Sequence, residues 1–233
     1  NIECMTKGFL LKIFIFLAYV PARKNSTRLK DKNIKIFNKK PLVMHSILLA
    51  KKSRFISNIY VSTDSKKVKN LSEKEGVKIK KLRDKGLSSN STSMHKLIKK
   101  ECKTTLNKSF NFKYLVLLQP TSPLRKVKDI NNACKLFLKN KNKTDVLIST
   151  TTFKKNDNKK KLMYSDGKYL KYKKSKIFNK KRLRNGPAIL IIKKNRIDKF
   201  LIGGNILEYK MPYKRSVDID YLSHFKLAQK NLI

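Results

Sequence analysis

The sequence predicts an α/β fold with a mostly parallel sheet and helices on both faces, and three observations support this. Apolar runs of strand length alternate with amphipathic segments of helical length along most of the chain. The first run, KIFIFLAYV, is rich in aromatic and β-branched residues, as a strand covered on both faces should be. The chain has 233 residues, of which 40% are apolar, and this suffices for the buried core of one domain. Strands that alternate with helices form parallel sheets through crossover connections.

The first half of the chain contains four predicted strands separated by helices. After KIFIFLAYV, helical spacing predicts a helix in PLVMHSILLAKKS, and Ser65 and Gly76 delimit a second helix as its N-cap and its end. The remaining elements in this half are three strands, NIYVSTD, VKIKKL and KYLVLLQP, and the helix STSMHKLIKKECKTTL.

The second half begins in the same way and then changes character. VKDINNACKLFLKN is a predicted helix and TDVLISTTT a fifth strand, but residues 153–182 are polar and rich in lysine. Asp166-Gly167 is a hairpin signal within that segment, which we expect to leave the sheet as a small polar excursion. AILIIKKN and ILEYKM return as strands, and DYLSHFKLAQKNL closes the chain as a helix. We therefore expect one domain over residues 13–233, preceded by an uninformative N-terminal extension over residues 1–12.

The charge balance is strongly basic. Lys and Arg total 58 against 15 Asp and Glu, a formal charge of +43. Only nine of these cations are arginine, although proteins that read phosphates and bases favour its bidentate fork. The lysines are spread along the whole chain, and the aromatic residues lie mostly inside apolar runs and not among exposed cations. We therefore interpret the charge as compositional drift and expect no nucleic-acid partner; a non-catalytic basic nucleic-acid-binding protein remains the alternative from another class.

Cysteine spacing and hydropathy restrict the compartment. Cys4, Cys102 and Cys134 form no CxxC pair, so neither a zinc site nor a disulfide framework is indicated, and a cytoplasmic location fits. The segment Phe9–Val20 resembles the core of a signal peptide, but it is too short to span a membrane and no small-residue cleavage site follows it. We expect a buried first strand there and no membrane association.

Two loops, one after Val20 and one after Leu118, follow predicted strands at the edge where open α/β sheets bind ligands. VPARKNSTRLKDKN, after the first strand, holds five cationic side chains and one acidic one, a combination that suits a polyphosphate. It contains no GxxxxGK[ST] pattern, so it is not a P-loop of the ATPase kind. Taken alone, a solvated basic loop would explain it equally well.

Near the C-terminus, RSVDID places Asp218 and Asp220 two residues apart. On an extended backbone both carboxylates point to the same side, and two hard oxygen ligands suit Mg²⁺. Asp64 is a weaker third candidate, since an Asp that closes a strand often caps the next helix. The histidines are poor catalytic candidates, because His45 and His95 lie within predicted helices.

The order and spacing of several motifs resemble the CMP-N-acetylneuraminate synthetases, the acylneuraminate or sialic-acid-type cytidylyltransferases. They are VPARKNSTRLKDKN, KPLVMHSI, IYVSTDS, the Leu82-Arg83 pair, LLQPTSPLR, RNGPAILI and RSVDID. The resemblance covers almost everything from Ile13 onward. It implies a Rossmann-like, nucleotide-diphospho-sugar transferase-like sheet, transfer from CTP to a nine-carbon 2-keto sugar acid with Mg²⁺, and a homodimer contacting through residues 153–182.

The resemblance also implies roles for individual residues. Arg23, Lys32, Asp218 and Asp220 are the implied catalytic residues, the two acids as metal ligands. The implied nucleotide-binding residues are Pro21, Ala22, Arg23, Asn25, Ser26, Lys32, Asn33, Arg83, Ser91 and Ser93. The implied sugar-acid-binding residues are Gln119, Arg184 and Asn185.

The match leaves three points open. Asn90 stands where the family usually has an Asp and Met94 where it has a Ser, so base contacts are either partly lost or supplied by Ser91 or Ser93. Either Arg182 or Arg184 can meet the sugar's carboxylate. A 3-deoxy-manno-octulosonate cytidylyltransferase is the alternative within the superfamily, since its opening loop also reads STRL, but that family replaces QPTSPLR by an acidic motif.

Overall fold

The computed structural model describes residues 16–155, 157–185 and 188–232. The strands are β1 (Phe16–Pro21), β2 (Ile36–Phe37), β3 (Lys40–Pro41), β4 (Ile56–Ser62), β5 (Tyr114–Leu117), β6 (Val146–Thr152), β7 (Leu162–Ser165), β8 (Tyr169–Lys171), β9 (Lys180–Arg184), β10 (Leu190–Lys193) and β11 (Ile206–Lys210). The longer helices are α1 (Leu42–Lys52), α2 (Lys66–Lys74), α3 (Met94–Glu101), α4 (Val127–Lys139) and α5 (Leu222–Lys230). None of the helices in the described ranges is both long and apolar enough to cross a membrane.

The α/β fold is confirmed, but its main sheet is mixed and not mostly parallel, because three of its nine described strand pairings are parallel and six are antiparallel. Nine strands of the described chain form it in the order β11-β8-β7-β9-β6-β10-β5-β1-β4. β1 is parallel to both β4 and β5, whereas β10 runs antiparallel between β5 and β6. The parallel half therefore presents the carboxyl ends of β1, β4 and β5 at one edge, where the loops after them meet.

β1 explains why the sheet has two covered faces. Phe16, Ala18 and Val20 belong to one buried cluster, and Leu17 and Tyr19 belong to a second cluster on the opposite face. Alternate residues of a strand point to opposite faces, so a continuously apolar strand requires cover on both. The first strand was predicted over KIFIFLAYV, of which the first four residues, 12–15, lie outside the described ranges.

The predicted third strand, VKIKKL, is wrong. Val77 and Ile79 are buried against the core, but this segment has no strand pairing among the described residues. Helix α2 begins and ends as predicted. At its start, Ser65 accepts a hydrogen bond from the Val68 N–H, and beyond its end Gly76 has a φ of 78°. Residues 77–82 do not pair with the edge strand β4. The alternation of apolar and polar residues in VKIKKL therefore reflects burial of Val77 and Ile79 and not strand pairing.

The described part of residues 153–182 forms a hairpin extension of the main sheet. β7 and β8 are antiparallel around the predicted Asp166-Gly167 turn, and β9 pairs with β7 and β6. The expectation that this segment leaves the sheet is therefore wrong, because its strands continue the hydrogen-bonded ladder. The loop from β6 to β7 begins at the carboxyl end of β6, and the loop from β8 to β9 ends beside it.

A third, smaller core cluster joins the basic loop to RSVDID, the acidic segment near the C-terminus. It contains Leu29, from the basic loop, and Ile219, which lies between the two aspartates of RSVDID. Both pack with Phe37, Leu42 and Phe225. Burial of these apolar side chains holds the basic loop and the acidic segment side by side, although they are distant in sequence.

Candidate active site

A cavity of about 490 Å³ opens where the loops after β1, β4 and β5 converge. Its volume lies in the range of small-molecule sites. The lining residues are Pro21, Arg23, Ser26, Thr27, Arg28, Lys32, Asn33, Arg83, Leu87, Ser89, Asn90, Thr92, Met94, Leu97, Gln119, Pro120, Thr121, Asn158, Lys161, Arg184, Asp218 and Asp220. Six of these side chains are cationic and two are carboxylates, an excess of positive charge that suits a polyanion.

The basic loop forms one wall of the cavity. The Asn33 side-chain amide donates to the Arg23 carbonyl oxygen over 2.8 Å, which closes the loop on itself. The Lys24 backbone N–H donates to Asp64 over 2.6 Å, so Asp64 holds the loop against the end of β4. Asp64 does not line the cavity in the described chain, and its contact is structural. Arg23, Lys32 and Asn33 thus face the cavity from a loop whose backbone is fixed by side chains.

Lys32 lies between the basic loop and the acidic segment. Its ammonium group donates to the Ile219 carbonyl oxygen over 2.9 Å and lies 3.3 Å from an Asp220 carboxylate oxygen. Burial lowers the pKa of Lys32, and the charge of Asp220 opposes that effect. The cation is therefore partly desolvated before any ligand arrives, which strengthens its electrostatic interaction with an anion.

Asp218 and Asp220 both face the cavity, although the segment that carries them is not a strand. The buried side chain of Ile219 separates them, so the two carboxylates point away from the core together. Asp218 pairs with Lys161 at 2.6 Å, and Asp220 pairs with Arg28 at 3.1 Å as well as with Lys32. The expected strand geometry is wrong, but the expected common orientation toward one space is present.

Arg83 reaches the cavity from the loop after α2. Its Nε donates to the Ser62 hydroxyl over 2.8 Å, and its Nη2 donates to the Ser62 carbonyl oxygen over 2.5 Å. The side chain is buried, and β4 therefore fixes the direction of the guanidinium. Ser62 was not among the residues that the sequence predicted for the site.

The stretch after Arg83 lines the cavity with different residues from those predicted. Ser93 accepts from the Lys96 N–H as the N-cap of α3, and the Ser91 hydroxyl bonds to that of Ser89. Neither Ser91 nor Ser93 lines the cavity, whereas Asn90 and Thr92 do.

Gln119, Thr121 and Arg184 form another part of the cavity wall. Arg182, two residues before Arg184 on β9, instead pairs with the buried Glu208 at 2.7 Å. Arg184 has no hydrogen-bond partner for its buried Nε among the described residues. Of the two arginines left open by the sequence, Arg184 is thus the one with a guanidinium facing the cavity.

Three other predicted residues, Ala22, Asn25 and Asn185, do not line the cavity. Asn185 is buried, accepts from the Ser149 hydroxyl over 2.7 Å and donates to the Ser216 hydroxyl over 3.0 Å. It connects β6 to the start of the acidic segment. Gly186 and Pro187, which belong to the same motif, lie outside the described residues.

Arg125, in the QPTSPLR motif, has a structural role. Its guanidinium is fully buried and donates to the carbonyl oxygens of Ala188 and Gln119 and to the Ser46 hydroxyl. Burial lowers the pKa of Arg125 to about 9. The residue fixes the backbone of the QPTSPLR loop and leaves Gln119 to face the cavity.

Sequence reasoning missed Arg28, Asn158 and Lys161, which all line the cavity. Lys161 comes from the hairpin extension, and its contact with Asp218 spans 57 residues of sequence. In a chain with 58 cationic residues, one more lysine carries no signal. His45 and His95 do not line the cavity, and their Nε2 atoms lie 2.7 Å from the carbonyl oxygens of Phe37 and Ile197.

Comparisons with known proteins match most of the chain. Residues 17–230 match the family model described as cytidylyltransferase. The chain is 36% identical over 121 residues, 52% of each chain, to CMP-N,N'-diacetyllegionaminic acid synthase of Legionella pneumophila subsp. pneumophila. It is 30% identical over 220 residues to N-acylneuraminate cytidylyltransferase of Escherichia coli O18:K1:H7, covering 91% of this chain and 51% of that protein. The chain thus spans about half the length of these two relatives.

A solved structure supports the fold independently. A CMP:2-keto-3-deoxy-manno-octonic acid synthetase, complexed with CTP, aligns with a TM-score of 0.70 at 12% identity. The alignment covers 93% of this chain and 97% of that structure. The likeness extends over the parallel and the antiparallel parts of the sheet.

Proposed function

The chain belongs to the cytidylyltransferase family, and on that premise we propose that it activates a nine-carbon 2-keto sugar acid with CTP. The anomeric hydroxyl of N-acetylneuraminate or a related nonulosonate attacks the α-phosphorus. The bond from that phosphorus to the bridging oxygen breaks, and pyrophosphate leaves with the bonding electrons. The product is the CMP-sugar, and the proton of the hydroxyl passes to solvent. The observation that carries the proposal is the cavity at the carboxyl ends of β1 and β5. Six cationic side chains and the carboxylates of Asp218 and Asp220 line it.

The basic loop is proposed to bind the triphosphate. Arg23 and Lys32 supply fixed positive charge where the pyrophosphate leaving group gains negative charge. Ser26 and Asn33 add neutral donors from the same wall. Because Lys32 is largely buried, it requires little reorganisation when charge develops on the leaving group.

Asp218 and Asp220 are proposed to hold Mg²⁺. The donor set fits, because Mg²⁺ usually takes one or two carboxylates and completes its shell with phosphate oxygens and water. Asp218 and Asp220 are the two carboxylates among the described residues that line the cavity. When bound, the ion would supply Lewis-acid polarisation of the phosphate.

The sugar acid is proposed to lie against Gln119 and Arg184. A guanidinium recognises a carboxylate through two parallel N–H donors, and Arg184 faces the cavity with an unpaired Nε. The two curated relatives are named for a legionaminic and an acylneuraminic acid, which supports a nonulosonate as the class of acceptor.

Replacing Arg184 is expected to weaken substrate binding, whereas replacing Arg182 is expected to lower stability. Arg184→Met should raise KM for the sugar acid about tenfold to a hundredfold, the loss expected for one charge-assisted contact, and leave KM for CTP unchanged. Arg182→Met should instead lower the free energy of unfolding by about 3 kcal/mol, because Glu208 would remain buried without its cation. Steady-state kinetics with each substrate varied, together with urea unfolding, checks both. Equal KM changes in the two variants would contradict the assignment.

The exposed lysines of the hairpin extension are expected to act only through long-range attraction. Lys159→Gln and Lys160→Gln should leave kcat unchanged and slow capture of the anionic substrates by about twofold at low salt, with the difference vanishing at high salt. Lys161→Gln should lower kcat under both conditions, since Lys161 lines the cavity and contacts Asp218. Rates measured across a salt series decide. Loss of kcat with Lys159 or Lys160 replaced would assign the exposed tract itself a role in catalysis or assembly.

Assembly and location are also proposals. Tyr172 and Ile177 lie in the extension and are 52% and 71% exposed. A second copy of the chain would cover these apolar side chains, which supports residues 153–182 as the contact region of a homodimer. Sedimentation of Ile177→Lys beside the unmodified chain tests this. A cytoplasmic location is supported by the buried, free thiols of Cys102 and Cys134.

Pyrophosphate release tests the reaction and its acceptor. The chain should release pyrophosphate from CTP when N-acetylneuraminate or N,N'-diacetyllegionaminate is present and not when both are omitted. Turnover with 3-deoxy-manno-octulosonate alone would favour the alternative within the superfamily. Absence of release with every acid in the panel would contradict the proposed function.

A further inference from the structure

Glu101, at the end of α3, is a buried carboxylate that lies behind the cavity wall. It is 4% exposed and accepts hydrogen bonds from three hydroxyl groups. The Ser62 hydroxyl donates to Oε1 over 2.7 Å, the Tyr60 hydroxyl lies 3.3 Å from the same atom, and the Tyr19 hydroxyl donates to Oε2. These donors come from β1 and β4, so Glu101 connects a helix to both strands.

The contact with Ser62 leads directly to the cavity. The same hydroxyl oxygen that donates to Glu101 accepts from Arg83 Nε over 2.8 Å. Glu101, Ser62 and Arg83 therefore form a linear relay in which each donor points toward the carboxylate. Arg83 is the member that lines the cavity, and it is 8% exposed.

The carboxylate changes what the Ser62 hydroxyl can do. A serine hydroxyl can rotate, and it presents its lone pairs to Arg83 only while its proton points elsewhere. Donation to a carboxylate fixes that proton and makes the oxygen a stronger acceptor. The position of the Arg83 guanidinium thus depends on the charge of Glu101, which does not line the cavity.

Packing alone does not account for an acid in this position. Burial raises the pKa of Glu101, whereas the hydroxyls of Tyr19 and Ser62 and the charge of Arg83 oppose that effect. A carboxylate kept in such surroundings costs desolvation free energy that a well-packed apolar residue would avoid.

We infer that Glu101 is a positioning residue that acts through the Ser62 hydroxyl to orient the Arg83 guanidinium toward the nucleotide. The inference rests on the proposed use of CTP. Glu101 itself does not contact the substrate. It fixes the Arg83 fork in the orientation in which its remaining N–H groups face the cavity. Its loss should weaken ground-state binding of CTP and leave the chemical step unchanged.

Two variants interrupt the relay at different points. Glu101→Gln removes the charge at nearly constant shape, and Ser62→Ala removes the connecting hydroxyl while leaving Glu101 in place. Each should raise Kd and KM for CTP about tenfold, the scale of one lost charge-assisted hydrogen bond. We expect kcat and KM for the sugar acid within about twofold of the unmodified chain, and the double variant should be no worse than either single one. CTP affinity is measured by calorimetry and the kinetic constants by pyrophosphate release.

Two matched controls separate positioning from stability. Tyr60→Phe removes another hydroxyl from the same Glu101 oxygen, but this hydroxyl is not on the path to Arg83. Glu208→Gln alters a second buried carboxylate that accepts from Thr150, Ser165 and an arginine, outside the cavity. Both controls should lower the midpoint of urea unfolding without changing Kd for CTP.

The outcomes distinguish the inference from the proposed function. If the unmodified chain binds no CTP, the proposed function fails. If it binds CTP and the relay variants bind equally well, or if Tyr60→Phe weakens binding as much as Ser62→Ala, the positioning role is overturned. Should Glu101→Gln fail to fold, Ser62→Ala compared with Tyr60→Phe still decides.

Discussion

Replacing Asp218 or Asp220 by asparagine is expected to lower turnover by at least about a hundredfold, because each change removes a charged oxygen ligand from the proposed Mg²⁺ site. Asparagine keeps the size and shape of the side chain. These carboxylates also pair with Arg28, Lys32 and Lys161, and the pairs with Lys32 and Lys161 are partly buried, so urea unfolding of each variant is measured beside its rate.

The two changes should be strongly non-additive, since both act through one ion and the first removes most of its contribution. The Mg²⁺ concentration needed for half-maximal rate should also rise in each single variant. Pyrophosphate release for both variants and the double, over a Mg²⁺ titration, measures this. Asp198→Asn is the control, because Asp198 is an exposed acid that also contacts two lysines. Rates near those of this control would contradict the metal assignment.

Arg23→Ala is expected to have the next largest effect, a loss on the order of 2–4 kcal/mol in transition-state stabilisation, which is the scale for one positioned charge-stabilising donor. That loss corresponds to a fall in kcat/KM of about 30-fold to 1,000-fold. The effect should lie mainly in kcat, since the negative charge that Arg23 faces grows as pyrophosphate leaves.

Folding should be little affected by the same change. The guanidinium makes one exposed hydrogen bond in the described chain, 3.3 Å to the Ser89 carbonyl oxygen. The contact that closes the loop uses the Arg23 backbone oxygen, which alanine retains. Lys30→Ala, in the same loop but outside the cavity lining, is the matched control. Equal loss in both variants would show that general charge, and not position, is what the loop contributes.

The elements that the sequence predicted best are those whose burial is decided locally. β1, α1, α2 and α4 follow from apolar runs and periodicity, and the end of α2 from the chemistry of Ser65 and Gly76. Strand direction is different, because β10 runs antiparallel after a hairpin extension that the residue pattern could not orient. VKIKKL shows the same limit, since alternation reports which side chains are buried and not whether a neighbouring strand is available.

The site follows the same division. Arg23, Lys32 and Gln119 lie in loops that follow strands, Asp218 and Asp220 form a close pair of acids, and the family resemblance implies a role for each; all five line the cavity. The residues that reach it from distant segments gave no signal. Lys161 is one lysine among many.

The relay behind Arg83 could not be predicted for a related reason. Glu101 lies in a lysine-rich helix and meets Ser62 across 39 residues of sequence and Tyr19 across 82. Only the packing of α3 against β1 and β4 brings the three together. Its members have ordinary spacing and composition when taken one at a time.

The central claim, that CTP is cleaved between its α- and β-phosphorus atoms and the cytidylyl group passes to a sugar acid, is tested most directly by following labelled phosphorus. With CTP labelled at the α-phosphate, the unmodified chain should transfer the label to a CMP-sugar only when a nonulosonate is present. With CTP labelled at the γ-phosphate, the label should appear in pyrophosphate. Release of inorganic phosphate and CDP, or retention of the α-label in CTP with every acid supplied, would contradict the account.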